Sequence, residues 1–157
     1  MPRAASFVLV CTLVAVAGGC GARQQTATPA ACLVDAGGYD RALERAPAQV
    51  LLEGRTSISD CLPREQGAGE LAEVGQAMVA EATMLNRTAQ GRRGDRQALK
   101  LGYLVGGVSV GVAKSSGIHG ELLRRIDSAA HFETGGPLSA GFRRAYAKGY
   151  AAARRNG

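Results

Sequence analysis

His119 and His131 are the side chains best suited to hold a metal ion or move a proton near neutral pH, and Glu121 and Glu133 each stand two residues away. A zinc site on a helix needs its histidines on one face, as at i and i+4. These two are twelve residues apart, which turns them about 120° from one another around a helix. His119 also falls in the apolar arc of its segment, so it reads as a core or edge histidine rather than a ligand. Ser115 and Ser116 precede His119, but neither stands in a G-x-S-x-G elbow. Carboxylate pairs such as Glu121 with Glu133, or Asp60 with Glu65, could be drawn for acid and base roles, yet no spacing singles them out. The glycines at 102, 106, 107 and 111 follow no G-x-G-x-x-G pattern, and no Gly-Lys-Ser/Thr follows them. No nucleophile or base is named, and no cofactor is implied. An enzyme is therefore the second reading: a small exported hydrolase or metal-binding protein using His119, His131 and nearby carboxylates.

The stronger chemistry is charge. In PLSAGFRRAYAKGYAAARR, Leu138, Phe142, Tyr146 and Tyr150 recur every four residues, which makes an apolar stripe on a helix. Arg143, Arg144, Lys148, Arg154 and Arg155 fall on the opposite arc. With Arg92 and Arg93 from an upstream loop, they could meet anionic headgroups, wall polymers or an acidic protein. The chain as a whole has a formal charge of +6, distributed unevenly. Residues 20 to 90 hold nine carboxylates against six arginines, and residues 91 to 157 hold twelve cations against four carboxylates. A basic half of this kind draws the protein toward anionic surfaces.

The elements that must position these residues read as helices. Tyr39–Ala46 carries helical spacing and meets Pro47, which ends or kinks it; the following AQVLLEG could prolong it or form a short extended piece. Thr56–Leu62 reads as a single turn placing Cys61, closed by Pro63. In Leu71–Leu85, Leu71, Val74, Met78, Ala82 and Leu85 share one stripe, and the GRRGD loop stops that helix. Asp95 is then placed to cap the next. Lys100 and Lys114 bracket thirteen uncharged residues holding four glycines. That run is too short to span a bilayer, and it reads as a buried helix whose glycines admit another backbone, with a VSVGV strand as the competitor. Gly117–Ala130 is amphipathic, and Pro137 suits the first position of a final helix. The fold class expected is all-α, a small bundle of four or five helices.

Ahead of this domain come Met1-Pro2-Arg3, the uncharged run ASFVLVCTLVAV, and the small residues Ala17, Gly18 and Gly19 before Cys20. That order is the tripartite pattern of a secretory signal peptide. Ala15-Val16-Ala17 would allow cleavage before Gly18. Ala17-Gly18-Gly19-Cys20 resembles instead the lipobox of bacterial lipoproteins, with Ala17 where that family usually has Leu. The resemblance implies that Cys20 receives a diacylglyceryl group and becomes the first residue. It covers only this opening segment.

Cysteine parity favours the second site. Cys11 leaves with the signal, so Cys20, Cys32 and Cys61 remain; acylation of Cys20 leaves Cys32 and Cys61 as one pair, which an oxidising compartment would join. GARQQTATPA after Cys20 has no large apolar residue and cannot offset the entropy of ordering. The organisation expected is thus a signal peptide over 1–19, a flexible tether over 20–31 and one helical domain over 32–157. The leading functional reading is a lipid-anchored envelope protein that binds through its basic C-terminal surface. Its partners would be the membrane, through the lipid, and an anionic surface or acidic protein; nucleic acid is not expected of an exported chain.

Overall fold

The computed structural model describes residues 26–91, 94–115, 117–133 and 137–157. The signal segment, Cys20, the first part of the spacer, Arg92, Arg93 and Ser116 lie outside the described residues. Among the described residues the fold is all-α: α1 (Ala36–Leu43), α2 (Ala68–Ala89), α3 (Asp95–Lys114), α4 (Ile118–Ala130) and α5 (Ala140–Asn156), with two 3-10 turns at Ala30–Cys32 and Ile58–Cys61. No helix among them is long and apolar enough to cross a membrane.

Helix starts depart from the sequence reading where side chains cap the backbone. α1 begins at Ala36 rather than Tyr39, because the Asp35 carboxylate accepts from the Gly38 N–H at 2.8 Å and satisfies a donor the helix leaves unpaired. It also ends earlier, at Leu43. Asp95 does not cap α3: Gly94 holds that position and Asp95 is the first helical residue. The turn is too tight for a side chain at 94, since a Cβ there would lie 1.6 Å from the Ala89 carbonyl oxygen. Pro137 stands outside α5; Ser139 caps it instead, its Oγ accepting from the Phe142 N–H at 3.1 Å. The AQVLLEG stretch does not prolong α1: Leu52 makes a single antiparallel bridge to Thr56 across the turn at 53–55.

α3 is the centre of the molecule. Leu101, Leu104 and Val108 are fully buried, and its four glycines divide between two neighbours. A Cβ on Gly102 would lie 2.0 Å from the Tyr146 carbonyl oxygen, and one on Gly106 2.7 Å from that of Tyr150. From the other side, a Cβ on Gly149 of α5 would lie 1.9 Å from the Leu99 carbonyl oxygen. α3 and α5 therefore run parallel with their backbones in contact, and α5 ends within about a turn of the C-terminal end of α3. Gly107 and Gly111 face the opposite way, against Ile58 and the Ser59 carbonyl. The strand alternative for VSVGV is excluded, because residues 108–112 lie inside α3, which is helical from Asp95 to Lys114.

The turn that α3 receives is fastened by a disulfide. Cys32 and Cys61 are bonded, with Cα atoms 5.5 Å apart and both residues inaccessible to solvent. The bridge joins the two 3-10 turns, and the Tyr39 hydroxyl donates to the Cys32 carbonyl at 2.9 Å. Thr26 to Ala31, inside the stretch read as tether, lie against the domain. The Thr26 N–H donates to the Glu65 carbonyl at 2.9 Å, and the Thr28 N–H to Glu70 Oε2 at 2.9 Å.

α4 lies parallel to α2. Gln66, just ahead of α2, meets His119 in the first turn of α4 at 3.0 Å. At the far end Asn86 Nδ2 donates to the carbonyls of Ala129 and Phe132, at 2.9 and 2.8 Å.

Candidate anionic-surface site

α5 is divided lengthwise by its packing. Phe142, Gly149, Ala152 and Ala153 are buried against α3. Phe142, Tyr146 and Tyr150 form a continuous ring stack, with centroids 6.2 and 6.4 Å apart. The Tyr150 hydroxyl donates to Ser109 Oγ at 3.1 Å, and burial pushes the Tyr146 phenol above its ordinary pKa, with Asp127 and then Tyr150 adding to the effect. At 100° per residue, Arg143, Arg144, Lys148, Arg154 and Arg155 occupy an arc of about 140° on the other side. All five are exposed, and none forms an ion pair with a described residue. One of them has a polar partner: the Arg143 guanidinium donates to the Leu138 carbonyl. Arg154 and Arg155 close the last turn, where the helix dipole favours cations.

Other arginines of the basic half are spent within the fold. On α4, Arg124 and Arg125 both bind Glu121, at 2.8 and 2.9 Å. Those hydrogen bonds, Arg124 first and Arg125 second, hold the Glu121 carboxyl down to about 2. Glu121 is thus engaged as an ion-pair partner of two arginines.

The histidines stay apart, at opposite ends of α4. His119 is 1% exposed. The Gln66 amide nitrogen donates to Thr28 Oγ1 at 2.6 Å and to the Cys61 carbonyl at 3.1 Å. Its oxygen is left toward His119 Nε2, which must therefore carry the proton and donate. Nδ1 is buried without a partner. Burial also holds the His119 pKa below the ordinary value, so the ring is neutral at pH 7. His131 is on the surface, its Nδ1 3.0 Å from the Asp127 carbonyl and its ring edge-on to Tyr146 at 5.1 Å. Among the described residues, no three His, Cys, Asp or Glu side chains converge to hold a metal ion. Ser115 Oγ donates back to the Gly111 carbonyl at 3.1 Å, and Asp60 accepts from Ser57 Oγ at 2.7 Å.

One polar cluster was not read from the sequence. Lys100 is 1% exposed, its ammonium 2.5 Å from Asp40 and 2.6 Å from Glu44. Burial pulls its pKa down, but the two carboxylates outweigh that and leave it raised. Glu81 lies wholly buried nearby, with neither carboxyl oxygen hydrogen-bonded. Desolvation, with repulsion from Asp40 next, pushes its pKa up to about 7. The signal was present: Lys100 falls on the stripe of Leu104, Gly107 and Gly111, and Glu81 on that of Val74, Met78 and Leu85. A charge on an apolar stripe marks a buried ion pair or a neutralised acid.

Comparison with protein-family models, curated proteins and solved structures finds no match to this chain.

Proposed function

We propose that this is a lipid-anchored envelope protein whose α5 cations bind an anionic surface, with the lipid on Cys20 supplying the anchor. The observation that carries the reading is the set of five exposed cations on α5 that no described carboxylate neutralises. Elsewhere Arg96, Lys100, Arg124 and Arg125 have acidic partners, and the exposed cations without an ion pair to a described residue, among them Arg41, Arg45, Arg64 and Arg87, are scattered over other segments instead of sharing one helix face. A helix held by backbone contact to α3 presents its cations on a fixed base, so little ordering entropy opposes binding.

The position of the tether supports the same reading. Arg64 donates to the Lys114 carbonyl at 3.2 Å, which sets the approach to α2 beside the C-terminal end of α3. Thr26 and Thr28 are bonded at that approach, and α5 ends alongside α3. The chain thus emerges from the end of the bundle that carries Arg154 and Arg155, and a lipid on Cys20 would bring that end toward the headgroups. Each cation near an anionic leaflet contributes on the order of 1 kcal/mol.

The test is cosedimentation of the non-lipidated domain with vesicles of phosphatidylglycerol and of phosphatidylcholine. Binding to the first alone, lost in 1 M salt where the Debye length falls to about 3 Å, supports the reading. Arg143→Glu, Arg144→Glu and Lys148→Glu together should weaken binding at least about 100-fold, from roughly 1 kcal/mol per charge. Undiminished binding by a folded triple variant sinks it. Intact mass of the envelope-extracted chain tests the anchor separately: acyl mass on a chain beginning at Cys20 is expected, and an unmodified chain beginning at Gly18 rejects it.

A further inference from the structure

Between the N-terminal halves of α2 and α4 lies an open groove of about 580 Å³, within the size range of small-molecule sites. Leu71, Gly75, Val79, Ile118 and Leu122 line it, with Gln76, Glu121 and Arg125 among its polar lining. Gly75 sets the depth: a Cβ there would lie 3.1 Å from Leu122 Cδ1. Ile118 is 58% exposed, an unusual position for a large aliphatic side chain that shields nothing. Glu121 is already engaged by Arg124 and Arg125. The groove therefore offers hydrocarbon contact along its length and little to orient a polar ligand, which fits an unbranched acyl chain.

The geometry points to one acyl chain of the diacylglyceryl group on Cys20 of the same molecule as the occupant of this groove. The inference rests on the reading of Cys20 as acylated. Its support is where the chain leaves the domain. The Thr26 N–H is bonded to the Glu65 carbonyl just ahead of α2, three residues before Ala68, where the groove begins. The Thr28 bond to Glu70 and the bridge through Gln66 to His119 fix the chain at this end of α2 and α4 from faces turned away from the groove, so the residues before Thr26 would round the helix ends to reach it. Six residues, Cys20 to Gln25, separate the acylated sulfur from Thr26. At about 3.3 to 3.6 Å per residue they reach roughly 20 Å, and the groove-lining span of α2, the twelve rises from Ala68 to Ala80, is about 18 Å long at 1.5 Å per rise. A ligand tethered this closely sits at millimolar effective concentration, so the groove would compete with the bilayer for the anchor.

The experiment uses cis-parinaric acid, a fluorescent fatty acid, against two forms of the full mature chain. One is the acylated protein extracted from envelope in detergent, exchanged into buffer and verified by mass; the other is Cys20→Ser. The Cys20→Ser chain should bind one equivalent of probe, and the acylated chain at least tenfold less. Ala72→Phe, at an exposed position lining the groove, should weaken probe binding to the Cys20→Ser chain about tenfold, with helicity unchanged by circular dichroism. Two results overturn the inference while leaving the anchor intact: no probe uptake by Cys20→Ser, or equal uptake by the mass-verified acylated chain, which would mean a groove open to lipid from outside. A chain whose mass shows no acyl group on Cys20 overturns it through the anchor itself, and the mass spectrum separates that failure from the other two.

Discussion

Gly149→Ala and Gly120→Ala are the same chemical change, and they should move stability in opposite directions. At Gly149 the added Cβ would sit 1.9 Å from the Leu99 carbonyl oxygen and 2.9 Å from the Tyr103 nitrogen. Both are backbone atoms of α3, so no side chain can rotate away. Ordinary contact needs about 3.4 Å, and α5 must withdraw by roughly 1.5 Å. A gap of 0.5 to 1 Å already forfeits about a quarter to a half of each dispersion contact, and the seam includes Phe142, Ala152, Ala153 and Tyr103. Overpacking of this kind costs about 1 to 3 kcal/mol. Because the obstacle is rigid, the upper half of that range applies; the helix propensity of Ala over Gly returns up to about 1 kcal/mol. The net expectation is a loss of about 2 kcal/mol. At Gly120 nothing lies within 4 Å of the added atom, so only the propensity remains, a gain of about 0.5 to 1 kcal/mol.

For a domain of this size 1 kcal/mol moves Tm by about 3 to 5 °C. Thermal and urea unfolding followed by far-UV circular dichroism should place Gly149→Ala about 6 to 10 °C below the parent and Gly120→Ala about 2 to 4 °C above it. Gly102→Ala should resemble Gly149→Ala, since its Cβ would meet the Tyr146 carbonyl at 2.0 Å. The double variant should cost less than the sum of the two, because the first substitution has already parted the helices that the second would part. A Gly149→Ala protein as stable as the parent, or strictly additive costs, would refute backbone contact between α3 and α5.

Three further outcomes follow from the same structure. The Glu81 carboxyl is raised to about 7 when folded and sits near 4.3 when unfolded. Its proton is therefore held more tightly by the native state, and its contribution is fully present below pH 4 and lost as pH rises through 7. On the order of 1 to 3 kcal/mol should be lost between those limits; Glu81→Gln should flatten that slope in urea titrations at several pH values, and an unchanged slope would reassign it. Replacing Cys32 and Cys61 by Ala opens a loop of about 30 residues, and chain entropy puts the cost at roughly 3.6 kcal/mol; a midpoint unchanged by reductant or by the substitutions would show that the bridge adds nothing. The triple charge reversal on α5 should alter stability by no more than about 0.5 kcal/mol, as for exposed positions generally, and a larger drop would assign those cations a structural role.

The legible parts of the fold were those in which one stripe faces one neighbour. Leu71, Val74, Met78, Ala82 and Leu85 gave α2, and Phe142, Tyr146 and Tyr150 gave one border of the packing face of α5, whose centre is Gly149, Ala152 and Ala153. Helix ends were less legible, because Asp35, Gly94 and Ser139 set them through contacts a single position wide. α2 also carries a second stripe, Ala68, Ala72, Gly75 and Val79, whose small residues look like ordinary helix filler until α4 is laid beside them. Its meaning depends on an element forty residues away. The buried cluster failed for another reason: Lys100 read only as one bracket of an uncharged run, although its position on the stripe of Leu104 and Gly107 placed it inside.

The basic face has a cause that connects these layers. A helix packed at ordinary distance rests on long side chains, and lysines and arginines at its flanks can fold their stems over the seam. α5 instead meets α3 through Gly149, Ala152 and Ala153, with the Tyr146 and Tyr150 carbonyls set against Gly102 and Gly106. Such close approach closes the seam to long stems, and the aromatic stack of Phe142, Tyr146 and Tyr150 borders it. The five cations are left on the remaining arc, pointing outward with their stems exposed. Close packing by glycine and a bare cationic face are thus one arrangement seen from two sides. Gly149→Ala should therefore disturb more than stability: by parting α5 from α3 it should weaken vesicle binding although no charge has changed, whereas Gly120→Ala, on α4, should leave binding intact.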